Sequence, residues 1–340
     1  MKIFGIGTDI VNIKRMKRIL KNNGSRFKNK IFSESEINYC EKKKDPGPFY
    51  AKRFAAKEAF SKALGTGIRK DINLKNIIIF NDVYGKPKIK LKGSTYYYLK
   101  KKIIENIKTI IYALIIALII RSFLFQPFYI PSSSMEPNLL AGDRLFVSKY
   151  SYGYSRHSLP FSPNFTKKRF FTKEPQRGDV IVFKTPADNR TDYIKRLIGL
   201  PGDIFQIVDG HFYLNNEKIK RNKINSVMNI NCGNETLNVE FFEETLINGT
   251  KYLTVYKKEG TLMNTDKFVV PDKHYFFMGD NRDCSKDSRF LSSVGYVSVN
   301  NLVGKARLIF FSNDKKIGGF FKFWKWKSSI RIERFFKIIK

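Results

Sequence analysis

One segment restricts this chain more than any other. Residues 109–120 read TIIYALIIALII, and with Ile107 before them and SFLF after Arg121 the apolar stretch reaches about 19 residues. A helix needs roughly 20 residues to cross the hydrocarbon core of a bilayer. A helix buried in a globular core needs one apolar face, whereas this run is apolar on all sides. It is therefore read as a membrane span over residues 107–125. Arg121 lies towards one end, where its long stem reaches the headgroups; at the bilayer centre it would cost about 2.5–3.5 kcal/mol on insertion scales. Lys100, Lys101, Lys102 and Lys108 crowd the N-terminal flank, and residues 126–142 hold no lysine or arginine. That asymmetry places everything before the span in the cytoplasm and everything after it outside. The chain thus divides into residues 1–93, a linker at 94–106, the span, and an outer domain at 126–340.

With 63 Lys+Arg against 30 Asp+Glu, the 340 residues carry a net charge of +33. Such an excess suits an anionic partner, nucleic acid or a membrane surface, although lysine on solvated faces accounts for most of it. No zinc-finger spacing and no RNP-like aromatic motif is present, so no nucleic-acid partner is expected. Three cysteines, Cys40, Cys232 and Cys284, are too few for a disulfide framework. The Met1 end does not read as a secretory signal, because Asp9 interrupts its apolar run. Residues 320–340 mix aromatic and basic side chains (FFKFWKWK, RIERFFKIIK). They suit either the lipid headgroup layer or a surface strand and helix docked on the domain.

After Pro131 short alternating strands dominate. Gly142-Asp143, Gly178-Asp179 and Gly202-Asp203 each introduce one, and Asp209-Gly210 and Asn215-Asn216 are hairpin turns. An all-β domain follows, with residues 215–266 as an insertion of undefined form. Its three histidines, His157, His211 and His274, stand in no triad context. A serine nucleophile still needs a base, and lysine can serve once burial lowers its pKa. In DYIKRL, alternation puts Lys195 on one face with Tyr193 and Leu197, and Arg196 on the other between Ile194 and Ile198. Alternation alone leaves open which basic residue points outward.

Four segments in this order after a single span, IPSSSMEPNLLAGD, DYIKRLIGLPGD, MGDNRDCSKDSR and GYVSVNNLVGKA, resemble type I signal peptidases. The resemblance covers most of residues 107–340 and is weakest in the insertion. It implies Ser134 as nucleophile and Lys195 as general base, with no cofactor. Ser132 would join the Ser134 N–H in an oxyanion hole, Ser285 would hydrogen-bond the lysine amine, and Asp287 and Arg289 would form a supporting salt bridge. The implied partners are secreted preproteins cut after small residues at the first and third positions before the scissile bond. The implied place is the inner membrane, with the protease domain on the periplasmic side. Four positions depart from the family's pattern: Ser133 stands for glycine, Asn138 for threonine, Cys284 for asparagine and Ser298 for proline. Pairing of Cys284 with Cys232 is not expected, and it would threaten the placement of Ser285. A non-catalytic, membrane-anchored binding module is the alternative of another class.

The first 93 residues read differently. KIFGIGTDIV is expected to be a strand ending at an aspartate, RFAAKEAFSKALGTG a helix ending at Gly65 or Gly67, and NIIIF and PKIKL strands. GTDIV, RFAAKEAFSKALGTG and DVYGKPKIKLKG resemble holo-acyl-carrier-protein synthases. The resemblance implies an α+β fold that moves phosphopantetheine from coenzyme A to an acyl carrier protein with Mg²⁺. Asp9 and Glu58 would be the magnesium ligands and Lys62 a phosphate contact. Glu58 and Lys62, four apart, equally form an ordinary helix ion pair. After KLKG the chain turns at once towards the span, so the family's last strand or two are missing. An active transferase and an inactive remnant both stay open.

Overall fold

A computed structural model describes residues 5–65, 72–163, 168–225, 229–233, 235–314, 317–318 and 323–339. The chain divides into two compact units, Met1–Leu114 and Ile115–Lys340.

In the first unit, helices Ile13–Ile31, Glu34–Glu41 and Gly47–Ala63 precede an antiparallel pair of strands, Ile77–Asn81 and Pro87–Leu91. Ser33 starts the second helix with a reciprocal cap, its hydroxyl accepting from Glu36 N–H and Glu36 reaching back to Ser33 N–H. The same Glu36 is fully buried and pairs with Lys57 at 2.8 Å. Glu36 also accepts from Ile79 N–H, and the Lys57 amine donates to the Leu74 and Ile77 carbonyls. This buried pair thus ties the two helices to each other and to the strand Ile77–Asn81. A strand is expected at the N-terminus, but among the described residues there, 5–12 form no ladder. Gly5 and Gly7 instead lie against the helix Gly47–Ala63, where an added Cβ would fall 2.1 Å from the Ala63 carbonyl oxygen and 1.9 Å from that of Ala59. The helix ends one residue before Leu64, and Gly65 follows at φ +71°, close to the expected stop. Gly67 lies outside the described residues.

The segment read as a linker is helical. Gly93–Ile119 is one continuous α-helix, followed by a π turn at Ile120–Leu124. No proline or glycine interrupts residues 94–124, and Tyr98 and Leu99 pack on the cluster around Leu74 and Ile77. Among the described residues this is the helix long and apolar enough to cross a membrane, and none of its most apolar 18-residue window is buried.

The second unit is mainly β. Seven antiparallel strands form one sheet in the order Val297–Ser298, His274–Met278, Asp192–Gly199, Val180–Lys184, Leu302–Ser312, Asp143–Ser148, Phe125–Tyr129. Four further strands, Phe268–Val269, Ile204–Val208, His211–Leu214 and Glu217–Lys218, make a second sheet. The insertion contributes a three-stranded sheet (Lys220–Ile224, Val239–Thr245, Lys251–Lys257) and a hairpin, Ile230–Cys232 with Glu235–Leu237.

The Gly-Asp pairs share one device. In LAGD, QRGD and LPGD the glycine takes φ of +101°, +95° and +84°, which a type II turn requires at its third position. The aspartate carboxylate then accepts from the backbone N–H three residues back, Leu140, Gln176 or Leu200. The C-terminal residues 330–339 are docked on the sheet: Phe336 N–H donates to Ile309 and Ile339 N–H to Arg307, and buried Arg334 pairs with Asp143 at 2.6 Å.

Candidate active site

The loop after the edge strand Phe125–Tyr129 carries Ser132, Ser133 and Ser134. It is anchored by Met135 and Leu139, both almost wholly buried in a cluster with Leu145, Val147, Val180 and Val182. Lys195 comes from the strand Asp192–Gly199, opposite Ile181. Its amine donates to Ser134 Oγ at 2.5 Å, and both side chains are buried. Burial lowers the Lys195 amine to about 8; the nearby carboxylates of Asp287 and Asp280 pull the other way, and Arg289 adds to the lowering. No histidine hydrogen-bonds Ser134 among the described residues. Ser132 is exposed, with its hydroxyl 3.4 Å from that of Ser134.

The question left open by alternation has an unexpected answer, because neither basic residue points to solvent. Arg196 is buried on the opposite side of the strand and makes a bidentate pair with Asp280, both contacts at 2.8 Å. Its guanidinium also lies 4.3 Å from the centre of the Tyr252 ring. Asp280 in turn accepts from the Asn138 amide at 2.7 Å, which links it to the nucleophile's loop.

Asp287 and Arg289 form the expected pair, at 2.8 Å. Burial works against the charged Asp287, but Arg289 overrides it and holds the carboxyl below its usual range. Ser285 departs from expectation. Its hydroxyl is buried beside the Asp287 carboxylate, which it helps to hold below its usual range, and does not bond the Lys195 amine. Gly279 explains the close packing here: a Cβ on it would sit 2.2 Å from Ser285 Oγ and 2.5 Å from the Ser134 carbonyl oxygen. Cys284 is also placed against expectation, in a disulfide with Cys232 across a Cα–Cα distance of 5.5 Å. Folding of the insertion brings the hairpin beside the turn Arg282–Cys284, which a sequence separation of 52 conceals. The Asp280 partner of Arg196, and Gly279, Asn281 and the buried Arg282–Glu244 pair, were not singled out from sequence. For those between residues 279 and 282 the one signal was the density of charge in MGDNRD.

In the N-terminal unit Asp9, Glu58 and Lys62 come together. Lys62 pairs with Asp9 at 2.7 Å. The Lys62 hydrogen bond lowers the Asp9 pKa, whereas burial and the neighbouring Asp9 raise that of Glu58. Asp9 Oδ2 is enclosed, and the Glu58 carboxyl lies beside the Asp9 carboxylate.

A mainly-β unit that seats a serine hydroxyl against a buried lysine amine has the layout of a serine hydrolase working without histidine. Residues 103–311 match the family described as signal peptidase, peptidase S26. The chain is 40% identical to the signal peptidase I of Rickettsia typhi over 256 residues, which is 70% of this chain and 94% of that protein. With the signal peptidase I of Rickettsia bellii it shares 42% identity over 68% of this chain and 83% of the relative. The chain therefore belongs to the signal peptidase I family and is a peptidase. Residues 5–111 match the 4'-phosphopantetheinyl transferase superfamily, beyond the boundary expected at residue 93. A solved holo-[acyl-carrier-protein] synthase from Neisseria meningitidis is 42% identical over 30% of this chain and 81% of its own, with a TM-score of 0.29.

Proposed function

We propose that this chain is a membrane-bound serine endopeptidase that removes signal peptides from translocated preproteins with Ser134 and Lys195. The observation carrying this reading is the 2.5 Å contact between the Ser134 hydroxyl and a buried Lys195 amine. The neutral amine takes the hydroxyl proton as Ser134 attacks the carbonyl carbon before the cut, and returns it to the leaving amine. Water then releases the acyl group from Ser134 with the same base. The Ser134 N–H and Ser132 hydroxyl hold the negative oxygen; losing one such donor in general costs about 2.7–4 kcal/mol. A binding module without catalysis would have no use for a lysine amine kept buried against a serine hydroxyl. The test is cleavage of a preprotein by the purified full chain beside Ser134→Ala and Lys195→Ala variants.

The span supports a single pass, with the first unit cytoplasmic and Ser134 only ten residues beyond Leu124, at the outer membrane surface. The cysteines agree: Cys232 and Cys284 are bridged, as an oxidising compartment favours, whereas Cys40 is free and buried.

The low lysine pKa sets the pH dependence. Only neutral Lys195 accepts a proton, so kcat/KM rises with pH and levels off above a limb near 8. From pH 6 to pH 7 the gain is about tenfold, as for any single base still mostly protonated. A limb near the 10.5 of an ordinary lysine contradicts the assignment.

The Asp9–Glu58–Lys62 cluster favours a second activity, transfer of phosphopantetheine from coenzyme A to an acyl carrier protein. Two adjacent carboxylates, one with an enclosed oxygen, fit a small hard cation that takes its remaining ligands from phosphate and water. Asp9 and Glu58 would hold Mg²⁺, which neutralises phosphate charge when bound. Lys62, released from Asp9, would meet the phosphates. Incubation with coenzyme A, Mg²⁺ and apo carrier protein should yield the phosphopantetheine mass shift, lost in Asp9→Ala and Glu58→Ala. A shift that never appears, or one indifferent to both changes, makes the unit an inactive remnant.

A further inference from the structure

The disulfide lies where it can govern the site. Cys284 directly precedes Ser285, and Cys232 ends the first strand of the insertion's hairpin. Three segments meet around this bridge. Asn231, next to Cys232, donates its N–H to the Glu136 carboxylate in the nucleophile's loop at 3.1 Å. Asn281 donates its side-chain amide to the carbonyls of Ser133 (3.2 Å) and Asn231 (3.3 Å), and its N–H to the Ser134 carbonyl at 3.2 Å. Ser133 Oγ is 3.9 Å from Cys284 Sγ. The hairpin, the nucleophile's loop and the 279–289 loop therefore form a closed ring, and the disulfide is its covalent link. Within that ring the buried Ser285 hydroxyl sits beside the Asp287 carboxylate and makes no hydrogen bond to the Lys195 amine. Its place is set by the backbone on either side, one end of which is Cys284.

We infer that the Cys232–Cys284 bridge is a positioning element for the reaction. It holds Ser285 and the Ser134 loop in register around Lys195, so that opening it slows turnover while leaving substrate binding nearly intact. This rests on the Ser134–Lys195 reading. Opening the bridge takes two electrons and two protons, which a dithiol supplies as it closes to its own cyclic disulfide. Oxidised glutathione reverses the change by accepting them. Activity of this peptidase then follows the thiol–disulfide balance outside the membrane.

The test uses the full chain in detergent and a preprotein substrate, as purified, after dithiothreitol, and after reoxidation with oxidised glutathione. A C232S/C284N double variant is assayed alongside. Thiol titration should rise from one group, Cys40, to three on reduction. The expected result is a kcat lower by about ten- to a hundredfold, the scale of a misplaced reacting group. KM stays within about twofold, since the ring places reacting groups rather than holding substrate. The pH limb of Lys195 should move, because Asp287, Asp280 and Arg289 face its amine through the same loops. Reoxidation restores all three, and the double variant behaves like reduced protein and ignores dithiothreitol. An unchanged kcat and limb with three free thiols overturns the inference. So does loss of near-ultraviolet circular dichroism on reduction, which makes the bridge a support of the fold as a whole. Oxidised Ser134→Ala and Lys195→Ala proteins separate the two readings: if they process preprotein normally, the Ser134–Lys195 reading fails whatever reduction does.

Discussion

Ser134→Ala should abolish preprotein cleavage, and Lys195→Ala should lower it by about 10²–10⁴-fold, the usual worth of a positioned general base. The two effects have different origins. Without the Ser134 hydroxyl no acyl intermediate forms, and Lys195 has no group to deprotonate. Without the amine, the hydroxyl keeps its proton, because no histidine among the described residues hydrogen-bonds it in place of Lys195. Since the two act as a unit, the double variant should be no slower than the worse single one. Lys195→Arg should be as inactive as Lys195→Ala, because a guanidinium stays protonated where this amine, at about 8, releases its proton. The check is single-turnover cleavage of a preprotein by full-length protein, followed by mass spectrometry of the mature product. Processing that survives both single substitutions removes the two residues from the mechanism.

Much of this site was legible because its parts are local motifs. Ser132 and Ser134 lie in one short run, Lys195 sits on a strand of clear alternation, and the three Gly-Asp turns mark where strands begin. What stayed hidden depends on contacts between distant segments. Alternation assigns faces but says nothing of what covers them, so Arg196 could be read as solvated although the insertion's Tyr252 and the distant Asp280 enclose it. The Cys232–Cys284 pair was discounted on composition, yet a disulfide needs only two cysteines at the right separation, and the hairpin supplies it. Ser285 was given to the lysine amine by resemblance, whereas here its hydroxyl is enclosed and makes no such bond. In the first unit Asp9, Glu58 and Lys62, far apart in sequence, lie side by side. The described residues 5–12 around Asp9 form no strand, since Gly5 and Gly7 pack their backbone on a helix rather than beside another strand.

Asp280→Ala should unfold the outer unit far more readily than the loss of a surface carboxylate would. Arg196 and Asp280 are both about 1% exposed, and each contact of their bidentate pair is 2.8 Å. Removing the carboxylate strands a guanidinium where water cannot reach it, and breaking a buried pair in this way costs about 3–5 kcal/mol. Asn138 loses a partner as well, which loosens the loop that holds Ser134. For a unit of this size the cost corresponds to a fall in Tm of roughly 10 °C. Both tryptophans of the chain, Trp324 and Trp326, belong to the outer unit, so intrinsic fluorescence follows its unfolding without interference from the first unit. An Arg196→Met, Asp280→Leu double variant should recover much of the loss, because two apolar side chains leave no charge unpaired. If Asp280→Ala melts within a degree or two of the parent, the pair is not what holds strand Asp192–Gly199, and with it Lys195, against the 279–289 loop. If the double variant is stable but slow, the pair serves the placement of Ser134 through Asn138 more than the fold.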